Sequence, residues 1–540
     1  MYLALNKEIL TENHTCFVES DKYVICWEGL IFVKGIPSGE DSVHFFLKKV
    51  SNTGISEACK SLSGNFSCIL CDKSSNNYYA FIDNDGLSLI FYNNLAISTS
   101  FLNLINRANV TLNDLNPYSV IEFIHSGWIF GNTALFDSIQ ILPPDQILTF
   151  SQHGTELMSK GIEKVYPCSS PEKTFLQTFG DIAIALQNNK IRLHLTGGTD
   201  TRLLALLFKK EGLNFETTTM GPPGHPDVEI ASKLAELLGL NHHVECPTVG
   251  EEQSVLEELD EIFEVSDGLC DIFRLYQYGY HLHKRRKHRG VDLVVTGNGG
   301  ELYKFAGWWT FKKEKRETTI ERLAPGMVNW YSGRQIPYDF FTDHFRQFAS
   351  IYRSWLVRNL SIKFTKDRGK NLADKIFFEY SVRGAYRTQT NGRREKVYAP
   401  LLDRQLVACA LAIPSYDRFF SNFHRKLISS LNRDASQIET TDHRYGYLKG
   451  LHWLLSRKVK GKLQRLNKLI GASHKPRVQT INCCRCNLYE VVKGSKNGRE
   501  NVEYLRTCGI LRPKIHIEEI DDVFFGRLFS LAELFKRLGT

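Results

Sequence analysis

Two adjacent glycines and an aspartate, Gly197, Gly198 and Asp200, stand between two hydrophobic segments in the stretch IRLHLTGGTDTRLLALLF. Adjacent glycines let the backbone turn sharply and present its N–H groups to an anion. Thr196 and Thr201 can add hydroxyl hydrogen bonds to phosphate oxygens. An aspartate repels phosphate but suits the Mg²⁺ that accompanies a triphosphate. The stretch predicts a pyrophosphate-binding loop, with a plain turn capped by the aspartate as the alternative.

A second glycine-rich stretch, VVTGNGGELYKFAG at 294–307, also follows a hydrophobic run and carries Glu301. Neither stretch has the Gly-Lys-Thr/Ser ending of a Walker loop, and neither is a dinucleotide fingerprint. The carboxyl ends of parallel strands meet at one edge of a sheet, where such folds bind ligands. We therefore expect Asp200 and Glu301 to share a metal site.

The elements that must position these loops follow from the hydrophobic periodicity. From about residue 172, helical and strand-like segments alternate, which predicts a doubly wound parallel sheet. The first ~150 residues instead show short strands broken by turn residues such as NDG at 84–86. The stretch VYPCSSPEK indicates a boundary, so we predict domains at 1–165 and 166–540. The region after 330 is expected to be mostly helical.

Composition excludes several classes of protein. The 13 cysteines are scattered and odd in number, which disfavours a secreted disulfide framework, and the cluster at 483–486 lacks paired zinc-ligand spacing. No signal peptide or run of ~18 apolar residues is visible, so we expect a cytoplasmic protein with no membrane partner. The net charge of +9 concentrates at 281–290 and 457–468. We favour solvated helix faces there over nucleic-acid binding.

Five motifs in order resemble the asparagine synthetase superfamily. The first glycine stretch resembles its SGGxDS loop, and TGNGGEL resembles its SGxGxDE loop. The segments TTTMGPPGHPDVEIASKLAELLGLNHHVE, EVSDGLCDIFRLYQYG and YAPLLDRQLVACALAIP are similar to further family segments, the first through Asp227 and the second through Asp267. The N-terminal segments GNFSCILCD, FIDNDGLSLIFY and LFDSIQILPPDQILTF resemble its class II glutamine amidotransferase domain.

This resemblance implies an Ntn-type αββα sandwich followed by an α/β domain of the PP-loop ATP-pyrophosphatase type, which is adenine nucleotide α-hydrolase-like, with added helices. It implies ATP and Mg²⁺, a carboxylate activated as an acyl-adenylate, release of pyrophosphate, and displacement of AMP by an amine. Asp200 and Glu301 would bind the metal. The residues implied to hold the nucleotide are Leu195, Thr196, Gly197, Gly198, Asp200, Thr201, Met220, Thr296 and Gly297.

The sequence departs from the family pattern in both halves. The amidotransferase nucleophile is an N-terminal Cys, whereas Tyr2 stands here and the first Cys is Cys16, so we expect no glutamine hydrolysis unless the true start differs. Asn298 replaces the Glu of asparagine synthetases, and an Asn cannot act as a base near neutral pH.

The family's catalytic Lys and its final acid are also replaced. Gly446 occupies the position expected for the lysine, and Leu302 replaces the acid. His443, Arg444 and Lys449 lie close to Gly446 and are candidate substitutes; a fixed guanidinium favours Arg444.

We therefore predict an ATP-dependent carbon–nitrogen ligase, with Asn298, Arg444 and Lys449 as the candidate catalytic residues. Its partners would be a carboxylate substrate and an amine donor, each a small molecule or a peptide. Three alternatives stay open: an ammonia-dependent asparagine synthetase, a lasso-peptide or lactam cyclase, and a catalytically decayed nucleotide-binding protein.

Overall fold

Antiparallel sheets in the N-terminal half and a parallel sheet in the C-terminal half organise the fold. The computed structural model describes residues 2–4, 9–10, 16–130, 134–151, 154–162, 168–246, 251–278, 290–304, 319–320, 337–364, 372–384, 386, 396–418, 421–441 and 485–538. This mixed α/β architecture confirms the predicted fold class. The predicted boundary at 165–166 lies outside the described residues and stays a prediction.

The N-terminal half contains two antiparallel sheets. A six-stranded sheet has the order β11-β10-β6-β5-β4-β3, and a five-stranded sheet has the order β2-β1-β8-β7-β9. The strands are β1 (Tyr2–Ala4), β2 (Ile9–Leu10), β3 (Cys16–Glu19), β4 (Tyr23–Val33), β5 (Leu62–Asp72), β6 (Asn77–Ile82), β7 (Phe91–Tyr92), β8 (Ala96–Ser98), β9 (Gln140–Ile141), β10 (Gln146–Ser151) and β11 (Gly154–Ser159).

Helices cover the outer face of each sheet. Helices α1 (Glu40–Thr53) and α2 (Ile55–Cys59) pack on the six-stranded sheet, while α3 (Phe101–Arg107) and α4 (Pro117–Ser126) share a core with the five-stranded sheet. A third core, which includes Ile69, lies between the two sheets. The layers therefore run helix, sheet, sheet, helix. The central strand β5 is buried along most of its length because both of its faces are covered.

The parallel sheet has the order β14-β13-β12-β15-β16. Its strands are β12 (Ile191–His194), β13 (Phe215–Met220), β14 (His242–Glu245), β15 (Leu293–Val295) and β16 (Lys396–Tyr398), accompanied by helices α5 (Pro171–Leu186), α6 (Thr199–Lys210) and α7 (Pro226–Leu238). In chain order, β13 and β14 are added on one side of β12, and β15 and β16 are then added on its other side. The topological switch point, where such sheets bind ligands, therefore lies between β12 and β15.

The remaining described chain is mostly helical, as predicted. It comprises α8 (Glu252–Val265), α9 (Ile272–Gln277), α10 (Asp343–Lys363), α11 (Leu372–Ile376), a π-helical turn (Phe377–Val382), α12 (Arg404–Ala412), α13 (Ser415–Arg418), α14 (Asn422–Leu431), α15 (Arg433–Gln437), α16 (Arg485–Gly494), α17 (Lys496–Thr507) and α18 (Asp522–Lys536). Short 3-10 helices occupy Leu112–Asp114, Gly300–Tyr303, Tyr338–Phe340, Pro400–Leu402 and Ile517–Glu519. Within the described chain, no helix combines the length and apolarity needed to cross a bilayer.

Polar and aromatic contacts join the two halves beside the parallel sheet. Lys34 Nζ lies 2.8 Å from Asp403 Oδ1, whose side chain is buried, and donates to Gln405 Oε1 at the same distance. The ring of Phe32 packs edge-on against Tyr398 at 5.8 Å. The edge strand β16 is thereby tied to β4 of the N-terminal half.

Candidate functional site

The predicted pyrophosphate loop connects β12 to α6 at the switch point. β12 ends at His194 and α6 begins at Thr199, so Gly197 and Gly198 fall between them and Asp200 lies in the first helical turn. Thr196 is exposed and Gly198 is half-buried, which leaves this turn accessible to solvent. The loop therefore lies between a strand and a helix, while its binding of pyrophosphate stays a prediction.

The N–H groups of this loop are bound to side chains in the described structure. Gly197 N–H donates to Asp227 Oδ1 at 2.8 Å, and Gly198 N–H donates to the Thr196 hydroxyl at 3.2 Å. Thr196 N–H donates to Thr201 Oγ1 at 3.0 Å, and the two threonine hydroxyls lie 3.1 Å apart. A carboxylate on Gly197 N–H indicates that the loop attracts an anion. A phosphate at this position must displace that carboxylate.

Asp200 contacts two cationic or protonatable side chains from other segments. Its Oδ2 lies 2.7 Å from Lys304 Nζ, and its Oδ1 lies 2.9 Å from His424 Nδ1. Burial acts to raise the pKa of Asp200, but Lys304 and His424 outweigh it and hold the pKa well below its ordinary value. Asp200 is therefore an ionised carboxylate at the centre of a three-residue cluster, Asp200–Lys304–His424.

The second glycine stretch lies directly against Asp200. A Cβ placed on Gly300 would be 2.1 Å from Asp200 Cγ, so only glycine permits this approach. Glu301 turns one carboxylate oxygen to Gly299 N–H at 3.1 Å. Although the residue as a whole is exposed, loss of water around its carboxyl, and secondarily the charge of Asp200, raise the pKa of Glu301. The two predicted acidic residues thus lie within electrostatic range of each other.

Aromatic packing fixes the histidine of the Asp200–Lys304–His424 cluster. The His424 ring is fully buried, with its centroid 4.7 Å from that of Tyr303. The Tyr303 hydroxyl donates to Leu406 O at 2.5 Å, which anchors the 3-10 helix after β15 to α12. His424 Nε2 is buried and has no hydrogen-bond partner among the described residues. The ring turns its Nδ1, and not its Nε2, to Asp200.

The structure places the other predicted nucleotide-contacting residues around the switch point. The Leu195 side chain lies in the core, whereas Met220 is half-buried at the end of β13. Thr296 and Gly297 follow β15, and a Cβ on Gly297 would lie 2.7 Å from Thr201 Cγ2, so the two loops are in contact.

The predicted catalytic residues are only partly described. Asn298 is exposed on the loop after β15. Arg444 and Lys449, with His443 and Gly446, lie outside the described residues, as do the basic runs at 281–290 and 457–468 and the cysteines at 483 and 484. Their roles stay predictions.

The predicted metal site has suitable donor groups, but the described side chains are not arranged around a common ion position. Carboxylates such as Asp200 and Glu301 are the ligands that Mg²⁺ uses, together with substrate phosphates and water. Both oxygens of Asp200 are engaged by Lys304 and His424, however, so a divalent ion there must displace the lysine ammonium. In the part of the chain that the structure describes, no three His, Cys, Asp or Glu side chains are arranged to hold a metal.

Sequence reasoning missed Lys304, His424 and the contact of Asp227 with Gly197. Lys304 lies inside the second glycine stretch, three residues after Glu301. This closeness in sequence to Glu301 was the one indication that Lys304 could belong to the site. His424 comes from a helix more than two hundred positions away from Asp200, and no motif marks it.

Part of the chain is similar to known proteins. The family model described as asparagine synthase matches residues 186–431, which include both glycine loops and His424. The chain is also similar to the glutamine-hydrolyzing asparagine synthetase 2 of Oryza sativa subsp. japonica, with 28% identity over 144 residues, or 24% of this chain and 24% of that protein. The match therefore spans about a quarter of that relative's length.

Proposed function

We propose that this chain is an ATP-dependent ligase that forms amide bonds, because residues 186–431 match the family model described as asparagine synthase. A substrate carboxylate attacks the α-phosphorus of ATP and forms an acyl-adenylate, while pyrophosphate leaves. An amine then attacks the acyl carbon, forms the amide, and releases AMP and a proton.

The observation that carries this proposal is the meeting of the two glycine loops at the switch point around Asp200. The start of α6 contributes a partial positive charge there, and Lys304 contributes a full one. Positive groups held near leaving phosphates stabilise the charge that develops as pyrophosphate departs. Thr296 supports the same location, because its hydroxyl is buried without a hydrogen-bond partner in the described chain.

ATP in this proposal enters with Mg²⁺ bound to its phosphates. Asp200 and Glu301 are the carboxylates that would hold the ion, and it neutralises phosphate charge when bound. Lys304 then moves from the Asp200 carboxylate to a phosphate oxygen, which keeps both charged groups paired. The phosphates likewise replace Asp227 on the Gly197 N–H.

The amine comes from the substrate, from free ammonia or from a second molecule. Asn298, on the loop after β15, offers an amide in place of a carboxylate and cannot remove a proton from the amine. We propose that Arg444 or Lys449 stabilises the reacting centre. The N-terminal half would then be an amidotransferase-like domain without glutaminase activity.

A second candidate is a nucleotide-binding protein that no longer catalyses the reaction. It is favoured by one observation: side chains of the protein itself already occupy the loop N–H groups and both oxygens of Asp200.

Pyrophosphate release separates these two candidates. Purified protein is incubated with ATP, Mg²⁺ and pools of carboxylic acids, each with and without ammonium, and aspartate is included as one acid. The ligase proposal predicts release that depends on the acid, and Asp200→Asn should abolish it. Steady release by Asp200→Asn would contradict the assignment. ATP binding without release in any pool would favour the decayed protein.

A further inference from the structure

Arg202 is a buried arginine on α6, two residues after Asp200, and it binds main-chain carbonyls of a distant segment. The residue is 1% exposed. Its Nη1 donates to Ala435 O at 2.9 Å and to Ile438 O at 2.7 Å, and its Nη2 donates to Glu439 O at 2.6 Å. A planar guanidinium can satisfy several carbonyls in a fixed arrangement, which the flexible ammonium of lysine cannot do.

The segment held by Arg202, residues 435–441, continues onto the pyrophosphate loop. Thr441 N–H donates to Gly197 O at 3.0 Å. The methyl group of Thr441 lies 2.5 Å from the position that a Cβ on Gly197 would take, so the two chains are in close contact. Arg425 adds a second anchor, since its Nη2 donates to the Thr440 hydroxyl at 3.2 Å.

Gly197 is consequently held from two directions. Its carbonyl is fixed by Thr441 and its N–H by Asp227, which comes from α7. Only the N–H contact must break when a phosphate binds, because the carbonyl points to a different partner. The contact with Thr441 can therefore keep the loop in shape while its N–H changes partner.

We propose that Arg202 is a positioning residue for nucleotide binding, which clamps residues 435–441 onto Gly197 and so holds the loop in the form that receives phosphates. The inference rests on the proposed function and adds to it a residue that touches no substrate. Burial and the neighbouring charge of Arg425 lower the pKa of Arg202 to about 10, so the guanidinium stays protonated at neutral pH. An apolar side chain cannot replace it, because one buried and two partly buried carbonyls would lose their donors.

The test compares Arg202→Met and Arg202→Lys with a matched control in the full-length protein. Arg527→Met is the control, because Arg527 also donates to main-chain carbonyls, including Ile124 O at 2.9 Å, but belongs to α18. For each variant, ATP affinity is measured with Mg²⁺ by calorimetry, and unfolding free energy is measured by denaturation. Hydrogen exchange is followed in the peptide that contains Thr441.

Arg202→Met should weaken ATP binding at least tenfold and speed exchange of the Thr441 peptide. Arg202→Lys, which keeps the charge but donates from a single nitrogen, should fold and give an intermediate affinity. Arg527→Met should lose stability while its ATP affinity stays within twofold of the original.

Two results would overturn the clamp while leaving the ligase proposal standing: unchanged ATP affinity in both Arg202 variants, or an equal loss of affinity in Arg527→Met. If the unmodified protein binds no ATP, the proposed function fails. Exchange of the Thr441 peptide then still decides whether Arg202 holds the segment, and exchange in Arg202→Met identical to that of the unmodified protein would refute that.

Discussion

Two aspartates, the half-buried Asp200 and the fully buried Asp267, show how differently the two regions of the molecule use a carboxylate. Asp267 is fully buried, and its carboxylate accepts hydrogen bonds from Ser100 Oγ at 2.9 Å, Phe101 N–H at 2.9 Å and Leu102 N–H at 3.3 Å. These neutral groups lie at the start of α3, so Asp267 joins the C-terminal half to a helix of the N-terminal half. Asp200 instead faces the side chains of Lys304 and His424, and the proposed reaction requires Lys304 to move to a phosphate.

The difference teaches that burial alone does not mark a functional acid. A carboxylate bound by fixed backbone N–H groups is committed to the fold, because removing it leaves buried donors unpaired. A carboxylate bound by a side-chain ammonium can exchange that partner for a phosphate-bound ion. Both aspartates fall in stretches that resemble the same family, and only the structure separates their partners.

The largest effect is expected from Asp267→Ala. It removes a carboxylate from three donors and should lower the free energy of unfolding by about 3 kcal/mol. ATP affinity of the folded protein should be unchanged. Asp200→Asn should do the reverse, with ATP binding lost and most of the stability kept. Denaturation curves give the free energy of unfolding of both variants, and titrations give their ATP affinity. A loss of ATP affinity in folded Asp267→Ala would contradict the distinction between the two aspartates.

Gly300→Ala should be nearly as damaging, because its Cβ would lie 2.1 Å from Asp200 Cγ and must push the carboxylate away from Lys304. We expect the free energy of unfolding to fall by roughly 2 kcal/mol and ATP binding to weaken at least tenfold. Gly180→Ala is the matched control, since Gly180 lies within α5 and its nearest neighbour is Glu211 Oε2 at 3.9 Å. That change should be neutral or add about 0.5 kcal/mol. Equal changes in stability and ATP affinity for Gly300→Ala and Gly180→Ala would contradict the close approach of Gly300 to Asp200.

Two buried histidines extend the comparison to pH. His125 stacks on Tyr352, and neither ring nitrogen has a hydrogen-bond partner among the described residues, whereas His424 faces a carboxylate. Burial, and secondarily the charge of Arg527, lower the pKa of His125 to about 3. Between that value and its ordinary 6.5, the unfolded chain binds a proton that the folded chain does not, so stability rises with pH.

His125→Phe should flatten this rise, because the phenylalanine ring has no proton to bind in the unfolded chain. Unfolding free energies measured at several pH values from 4 to 7 provide the test. An unchanged slope in the variant would show that His125 does not carry the pH dependence.

The smallest effect is expected at the junction between the halves. Lys34→Met leaves the buried Asp403 without its ammonium partner and should cost about 1–2 kcal/mol without changing ATP affinity. Lys73→Met removes an exposed pair with Glu19 at 2.6 Å and should cost less than about 0.5 kcal/mol. The free energies of unfolding of both variants are measured by denaturation at one salt concentration. A larger loss in Lys73→Met than in Lys34→Met would contradict the expectation.

The sequence predicted the local parts of this fold well and the distant contacts poorly. Strand β12, helix α6 and the strand before the second glycine stretch follow from apolar periodicity and glycine placement, which are properties of neighbouring residues. The contact between the two loops could be predicted, because the carboxyl ends of parallel strands meet at one edge of a sheet. The partners of Asp200 could not be predicted, because His424 reaches it through the packing of a helix late in the chain.

A structure of the protein with a non-hydrolysable ATP analogue and Mg²⁺ tests the central claim most directly. The account predicts the triphosphate on residues 196–201, with Asp227 displaced from Gly197 N–H and Lys304 moved from Asp200 to a phosphate oxygen. A complex in which Asp227 and Lys304 keep their present partners while the nucleotide binds elsewhere would contradict it.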